Sequence, residues 1–297
     1  MAVSRCPDWS SFDVSCAPSD GPVAFCGDLS PASLLGAYRR GILPLPAPNE
    51  FARNLNEFRY EDQVAEGAIA IVGDGDGDGD GDGDGDGDSD GDGVHDPYSV
   101  AWWSPNPRLT MRPDGVHLGR NVRKQLRRDP QWLTTADHAF ERVTEECRAG
   151  RAQRWLTDTL LESLLRLHDM GWAHSIEVWE ADELIGGAFG IGIGATLSGD
   201  SMFNRRPYAA RVAVADMAAR FRQVGGVLID AQWDSPYLRS LGAEPMPRDR
   251  YLKVLAGSSH ARSLPRQPLP ARRLMAASGP APPAGPARGR AATPVSR

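Results

Sequence analysis

Between Gly73 and Gly93 the chain reads GDGDGDGDGDGDGDGDSDGDG, with ten aspartates at every second position from Asp74 to Asp92. Such a run has no apolar side chain to bury and its charges repel one another, so it is predicted to be disordered. Whatever this chain folds into must therefore be built from the residues on either side, with the run looped out at about 73–93. The run also distorts the charge balance. The formal net charge is -6 over 297 residues, but without those ten aspartates the remainder is net basic, so the total says little about partners.

The end of the run, DSDGDGVHD from Asp88 to Asp96, is similar to the D-x-D-x-D-G-x-x-D calcium loops of extracellular repeat proteins. An EF-hand is excluded, because no acid falls at loop position twelve and no helix flanks the segment. A low-complexity loop that holds divalent cations weakly is the expectation. The cysteines, Cys6, Cys16, Cys26 and Cys147, show no C-x-x-C spacing and read as free thiols of a reducing compartment. With no secretory leader pattern and no apolar stretch near eighteen residues, the protein is expected to be cytoplasmic and free of the membrane.

The flanks carry ordinary patterns. After an irregular start, LSPASLLGAYRRG has Ser30 to cap a helix, Pro31 at its first position, a stripe of Leu34, Leu35 and Tyr38, and Gly41 to stop it. The segment 46–72 fits helix and strand equally. Order resumes at SVAWWSPNPRL, and Gly119 to Arg128 reads as a basic helix. TADHAFERVTEECRAG and TDTLLESLLRLHDMG read as amphipathic helices. HSIEVWEADELIGGAFGIGIGATLSG reads as consecutive strands turning at Ala181 and Asp182 and again in the 190s. A helix over YAARVAVADMAARFRQVGG, a strand, and a last helix from YLRSLGA follow. The order is that of an α+β fold, and it suits a GNAT-like acyltransferase. The expected division is a small N-terminal domain over 1–115, a GNAT-like domain over 116–256 and a disordered basic tail over 257–297.

Two features carry chemistry. From Arg108 to Arg128 there are seven basic residues against one acid, Asp114, a patch that suits either a phosphate backbone or a solvated face. In GGVLIDAQWDSP, from Gly225 to Pro236, Val227, Ile229 and Ala231 alternate with Leu228, Asp230 and Gln232. Alternation puts Asp230 and Gln232 on one face of a buried strand. A buried carboxylate costs several kcal/mol unless it is paired, so these side chains have something to hold.

Other chemistries fit poorly. GDSMF, from Gly199 to Phe203, lacks the final glycine of a serine nucleophile elbow. The histidines show no H-E-x-x-H spacing, and no catalytic metal or cofactor is expected. The glycines from Gly186 to Gly194 match neither a dinucleotide nor a Walker loop, and read as places for sheet bending or close approach of a substrate.

Taken together, GDLSPASLLGAYRRGILP (27–44), WWSPNPR (102–108), RWLT (154–157), LHDMGWAHSIEVWEADELIGGAFG (167–190), GDSMFNRR (199–206), LIDAQ (228–232) and SLGAEPMPRDRYL (240–252) resemble the bacterial leucyl/phenylalanyl-tRNA protein transferases. The resemblance implies transfer of Leu or Phe, and less well Met, from aminoacyl-tRNA to the N-terminal Arg or Lys of a protein. That transfer marks the protein for N-end rule degradation, and the resemblance implies a small N-terminal domain before a GNAT-like one. An aminoacyl ester is already activated, so aminolysis requires no cofactor and no covalent intermediate, but the attacking amine must lose a proton.

On this reading Asp230 accepts that proton or anchors the amine, Gln232 holds its carboxylate, and Asp200, where the family has glutamate, orients an amine. The side-chain pocket would comprise Trp155, Met202, Phe203, Ala188, Val214 and Met217, with Val214 equally at home in the core. Trp102 and Trp103 either line the site or stack on the terminal adenosine. Arg108, Arg120, Arg123, Lys124, Arg127 and Arg128 would meet the tRNA acceptor stem. Leu43 and Leu45 stand where the family usually has Phe and Trp, Ala231 where it often has Cys, and Tyr237 where it often has His. A monomer is expected. The rivals are a GNAT acyltransferase with another donor, and a non-catalytic tRNA-binding or calcium-responsive module.

Overall fold

The computed structural model describes residues 7–72, 96–149, 155–257, 260 and 262–277. The Gly-Asp run, the calcium-like loop up to His95, and the tail beyond Ala277 lie outside the described residues.

In chain order the elements are β1 (Ala24–Phe25), α1 (Pro31–Arg39), β2 (Leu43–Pro46), α2 (Glu50–Ala65), β3 (Ala70–Ile71), β4 (Val100–Trp103), β5 (Arg108–Met111), α3 (Gly119–Arg128) and β6 (Leu133–Ala136). They continue with α4 (Phe140–Ala149), α5 (Asp158–Asp169), β7 (Ala173–Glu180), β8 (Glu183–Ile193), β9 (Thr196–Asn204) and α6 (Ala209–Gln223). The last are β10 (Leu228–Gln232), α7 (Pro236–Arg239), β11 (Glu244–Met246), α8 (Arg248–Leu255), β12 (Leu269–Pro270) and α9 (Leu274–Ala277). The fold is α+β, as the pattern predicts.

Local chemistry explains the boundaries. The Ser30 hydroxyl caps α1 by accepting the Ser33 N–H, and Gly41 leaves the helix at a φ of +72°, a conformation that favours glycine. The undecided segment 46–72 turns out to be mostly α2, capped by Asn49. Its pattern is hard to read because only Tyr60 is fully buried, while Phe51, Leu55 and Phe58 face outward.

A four-stranded sheet runs in the order β2-β4-β1-β3, and an eight-stranded sheet in the order β11-β5-β10-β9-β8-β7-β6-β12. In the larger sheet β9 and β10 are parallel, joined through α6, and every other pair is antiparallel. Two apolar clusters pack against it: Phe140, Leu160, Leu164 and Phe189 belong to one, and Ile185, Val212, Phe221 and Ile229 to the other. Gly186 is required by the second, since a Cβ there would lie 2.5 Å from that of Ala209 on α6. What approaches the sheet at this glycine is a helix of the chain itself, rather than a substrate.

Two expected boundaries are corrected. β5 pairs with β10 and β11, so residues 108–111 belong to the large sheet and not to an N-terminal domain ending at 115. Residues 262–277 are not a free tail either. β12 pairs with β6, Leu264 and Leu274 are buried, and Arg220 donates to the carbonyl oxygens of Pro265 and Gln267. The arginine and proline content that suggested disorder instead supplies donors and turns. No helix among the described residues is long and apolar enough to cross a membrane.

Candidate active site

Pairing between the parallel strands β9 and β10 ends at Asp230 opposite Ser198. Beyond that point β10 has an irregularity in register between Asp230 and Gln232, and Gln232 sits at a φ of +64°. The simple alternation that predicted one shared face is therefore broken. Residues 199–205 of β9 and its end, and 231–235 at the end of β10 and just beyond, line a cleft of about 730 Å³ that opens where the strands part. The ends of parallel strands are a recurrent place for ligands, because two chains leave the sheet there in different directions.

Two carboxylates with different surroundings meet here, Asp200 lining the cleft and Asp230 enclosed behind the lining residues Ala231 and Gln232. Asp230 is fully buried. Its Oδ2 accepts Arg108 Nε at 2.9 Å and pairs with Nη2 at 2.7 Å, and it also accepts the Tyr251 hydroxyl at 3.2 Å. Its Oδ1 accepts the Gln232 backbone N–H at 2.9 Å. Arg108 is 1% exposed, donates Nη1 to the Gly41 carbonyl at 2.5 Å, and lies over the Tyr251 ring at 4.3 Å. Burial works against its charge, but Asp230, helped by Tyr251 and Tyr38, outweighs it and holds Arg108 above the ordinary arginine value.

Asp200 lines the cleft and is partly exposed. Its Oδ1 accepts the Ser198 hydroxyl at 2.9 Å and Gln232 Nε2 at 2.8 Å, and its Oδ2 accepts the Tyr38 hydroxyl at 3.0 Å. Burial, aided by the nearby Asp230 charge, pushes Asp200 up to about 7 even though these hydrogen bonds pull the other way. Tyr38 is raised in turn by burial and by Asp200.

Gln232 does hydrogen-bond the Asp230 carboxylate as expected, but with its main chain instead of its side chain. Its side-chain amide reaches Asp200 and Ser198, and only its backbone N–H reaches Asp230. Met202 and Phe203 line the cleft. Successive strand residues face opposite ways, so Met202 packs toward the α6 cluster and Phe203 toward the other. Ala188, Val214 and Met217 were expected on the pocket wall but are buried in the α6 cluster behind it, and none lines the cleft.

Trp155 and Trp103 are placed elsewhere, in a second pocket of about 260 Å³ with Leu45, Leu55 and Tyr60. The departure at Leu45 thus bears on that pocket, while Leu43 is buried. Trp102 cannot stack on a ligand: it is fully buried, 4.6 Å from the Trp9 ring, with Nε1 donating to the Cys26 carbonyl. Arg108 likewise cannot meet tRNA, because it is enclosed against Asp230. Of the remaining basic residues, Arg120, Lys124, Arg127 and Arg128 are exposed on α3, whereas Arg123 is half-buried and donates to the Met275 carbonyl.

Tyr38, Ser198 and Tyr251 were not anticipated at the site. Tyr38 read as one more apolar position on α1, and no periodicity marks a hydroxyl that points across to another sheet. Among the described residues no group of three or more His, Cys, Asp or Glu side chains is positioned to hold a metal ion.

Residues 110–256 match the family model described as leucyl/phenylalanyl-tRNA protein transferase. Proteins named leucyl/phenylalanyl-tRNA–protein transferase from Aromatoleum aromaticum and Citrobacter koseri are 33% and 34% identical over 253 and 247 residues. The alignments cover 84% and 83% of this chain and 86% and 84% of the relatives. One from Shewanella pealeana is 41% identical over 64% of this chain and 80% of its own. All are by name transferases acting between a leucyl- or phenylalanyl-tRNA and a protein. The chain belongs to the leucyl/phenylalanyl-tRNA protein transferase family.

Solved structures are looser matches. A GCN5-related N-acetyltransferase from Kribbella flavida covers 48% of this chain and 55% of its own at 14% identity, with a TM-score of 0.32. A conserved protein of unknown function from Bacteroides thetaiotaomicron covers 89% of this chain and 97% of its own at 10% identity, with a TM-score of 0.38. Likenesses this distant decide nothing about the fold.

Proposed function

We propose that this protein moves leucine or phenylalanine, and methionine less well, from its aminoacyl-tRNA to the N-terminal arginine or lysine of acceptor proteins. The observation that carries the reading is an open cleft lined by Asp200, Gln232, Met202 and Phe203, with Gln232 joining Asp200 to the buried Asp230. The amino-acid side chain gains binding by leaving water against that wall, at about 25 cal/mol per Å² of apolar surface buried. The exposed carboxylate of the cluster receives the acceptor's α-ammonium, and the amine left after loss of a proton attacks the ester carbonyl directly with no enzyme-bound acyl intermediate.

The pocket at Trp103 and Trp155 takes the terminal adenosine by stacking, and the exposed face of α3 takes the acceptor-stem phosphates. The protein works as a monomer in the cytoplasm, where aminoacyl-tRNA is made, and the transferred residue marks its acceptor for N-end rule degradation. Incubating the protein with labelled phenylalanyl- and leucyl-tRNA and a peptide beginning with arginine tests the reading. Label should enter this peptide and its lysine counterpart but not one beginning with glycine. A protein that binds tRNA and labels neither contradicts it.

A further inference from the structure

The two carboxylates joined by Gln232 cannot share one role. Asp230 has no exposed surface, and its oxygens are taken by Arg108, Tyr251 and the Gln232 N–H. A substrate amine could reach it only by displacing a buried guanidinium or backbone donor. Asp200 faces the cleft, and its partners are neutral hydroxyl and amide donors from Tyr38, Ser198 and Gln232. Asp200 Oδ1 already accepts two of these bonds, but Oδ2 accepts only the Tyr38 hydroxyl and keeps acceptor capacity toward an incoming ammonium.

We infer that Asp200, not Asp230, takes the proton from the acceptor's α-ammonium, while Asp230, locked to Arg108, is a positioning residue that fixes Gln232 and through it Asp200. This assignment rests on the transfer reaction proposed above. The ammonium N–H bond gives its proton to the Asp200 carboxylate and its electron pair to nitrogen. That pair forms the new bond to the ester carbonyl carbon. The C–O bond to the ribose breaks, and its electron pair stays on the ribose oxygen. This oxygen takes a second proton from the attacking nitrogen, directly or through Asp200, so that one proton in total is left for Asp200 to release to water.

The surroundings suit a base that works near neutrality. The titratable groups that act on Asp200 most closely are Tyr38 from α1 and Asp230 from β10, with Arg108 from β5 and Tyr251 from α8 behind Asp230. Glu146, Arg205 and Asp234 line the same cleft, Arg205 paired with Glu146 and Asp234 with Arg239. Arg108 is spent on neutralising Asp230, so Asp200 has no cation of its own and stays at about 7. An anchor needs only negative charge. A base needs an affinity for protons close to that of the amine it serves, and an α-amine titrates near 8.

The test is the size of the Asp200→Asn defect in kcat/KM for an arginine-initiated peptide as pH is raised from 6.5 to 8.5. Without a base the variant depends on amine already free in solution, a fraction that grows more than tenfold over this range. We expect a loss of about 10²-fold at pH 6.5, falling to roughly a tenth of that at pH 8.5. Asp200→Glu should recover most of the activity, which controls for folding. Asp230→Asn removes a charge that raises Asp200, so its defect should not shrink as pH rises.

A constant Asp200→Asn defect would make Asp200 an anchor only and overturn the assignment, as would a defect that shrinks with pH in Asp230→Asn instead. Failure of the wild-type protein to transfer at all would overturn the reaction itself, and this assignment with it.

Discussion

Arg108 shows how far a residue's surroundings can override its type. In the sequence it heads a stretch of seven basic residues and invites a surface role. In the structure it is the counter-charge of a carboxylate that would otherwise be buried alone. Removing it should be far more damaging than removing a surface arginine, because breaking a buried pair costs ~3–5 kcal/mol whereas exposed pairs contribute ~0–1 kcal/mol. Urea unfolding of Arg108→Met should show a loss of that size, and a loss under ~1 kcal/mol would mean that Asp230 is satisfied without it. Asp230 and Gln232 stood out in the sequence because polar residues in an apolar strand need a reason. Tyr38, Ser198 and Tyr251 did not, because hydroxyls on apolar-looking positions gain their meaning only when distant elements meet.

At the scale of elements, what could be read depended on length and punctuation. The cap and stop signals of α1 and the long strands β7, β8 and β9 were legible, since each carries several independent marks. β5 was not, because Arg108–Met111 is only four residues long and its pairing with β10 is set by residues far away in the chain. α2 was hidden by Phe51 and Phe58, which face outward and break the expected amphipathic pattern. The basic helix α3 was legible, and its partition into a buried side at Val122 and Leu126 and an exposed side at Arg120, Lys124, Arg127 and Arg128 yields a test. Replacing Lys124 and Arg127 with alanine should weaken tRNA binding and flatten its dependence on log salt by roughly 0.7–0.9 for each phosphate no longer neutralised. An unchanged slope would take the acceptor stem off this face.

For the molecule as a whole, the arrangement of its two sheets matters most. The resemblance brings eight residues forward as one substrate-binding set, yet the structure distributes them among a cleft, a second pocket and two cores. Met202 and Phe203 line the cleft beside Asp200, while Trp103 and Trp155 line a pocket walled also by α2 and β2 residues. Sequence order could not separate these groups, because it carries no information on which side of a sheet edge a loop returns. The division assigns the amino-acid side chain to the cleft and the nucleobase to the second pocket. A crystal structure with phenylalanyl-adenosine joined by a stable amide tests this most directly. The phenyl ring is expected against Met202 and Phe203, the carbonyl carbon within reach of an amine held by Asp200, and the adenine against Trp103 and Trp155. A phenyl ring seated between Trp103 and Trp155, away from Asp200, would contradict it.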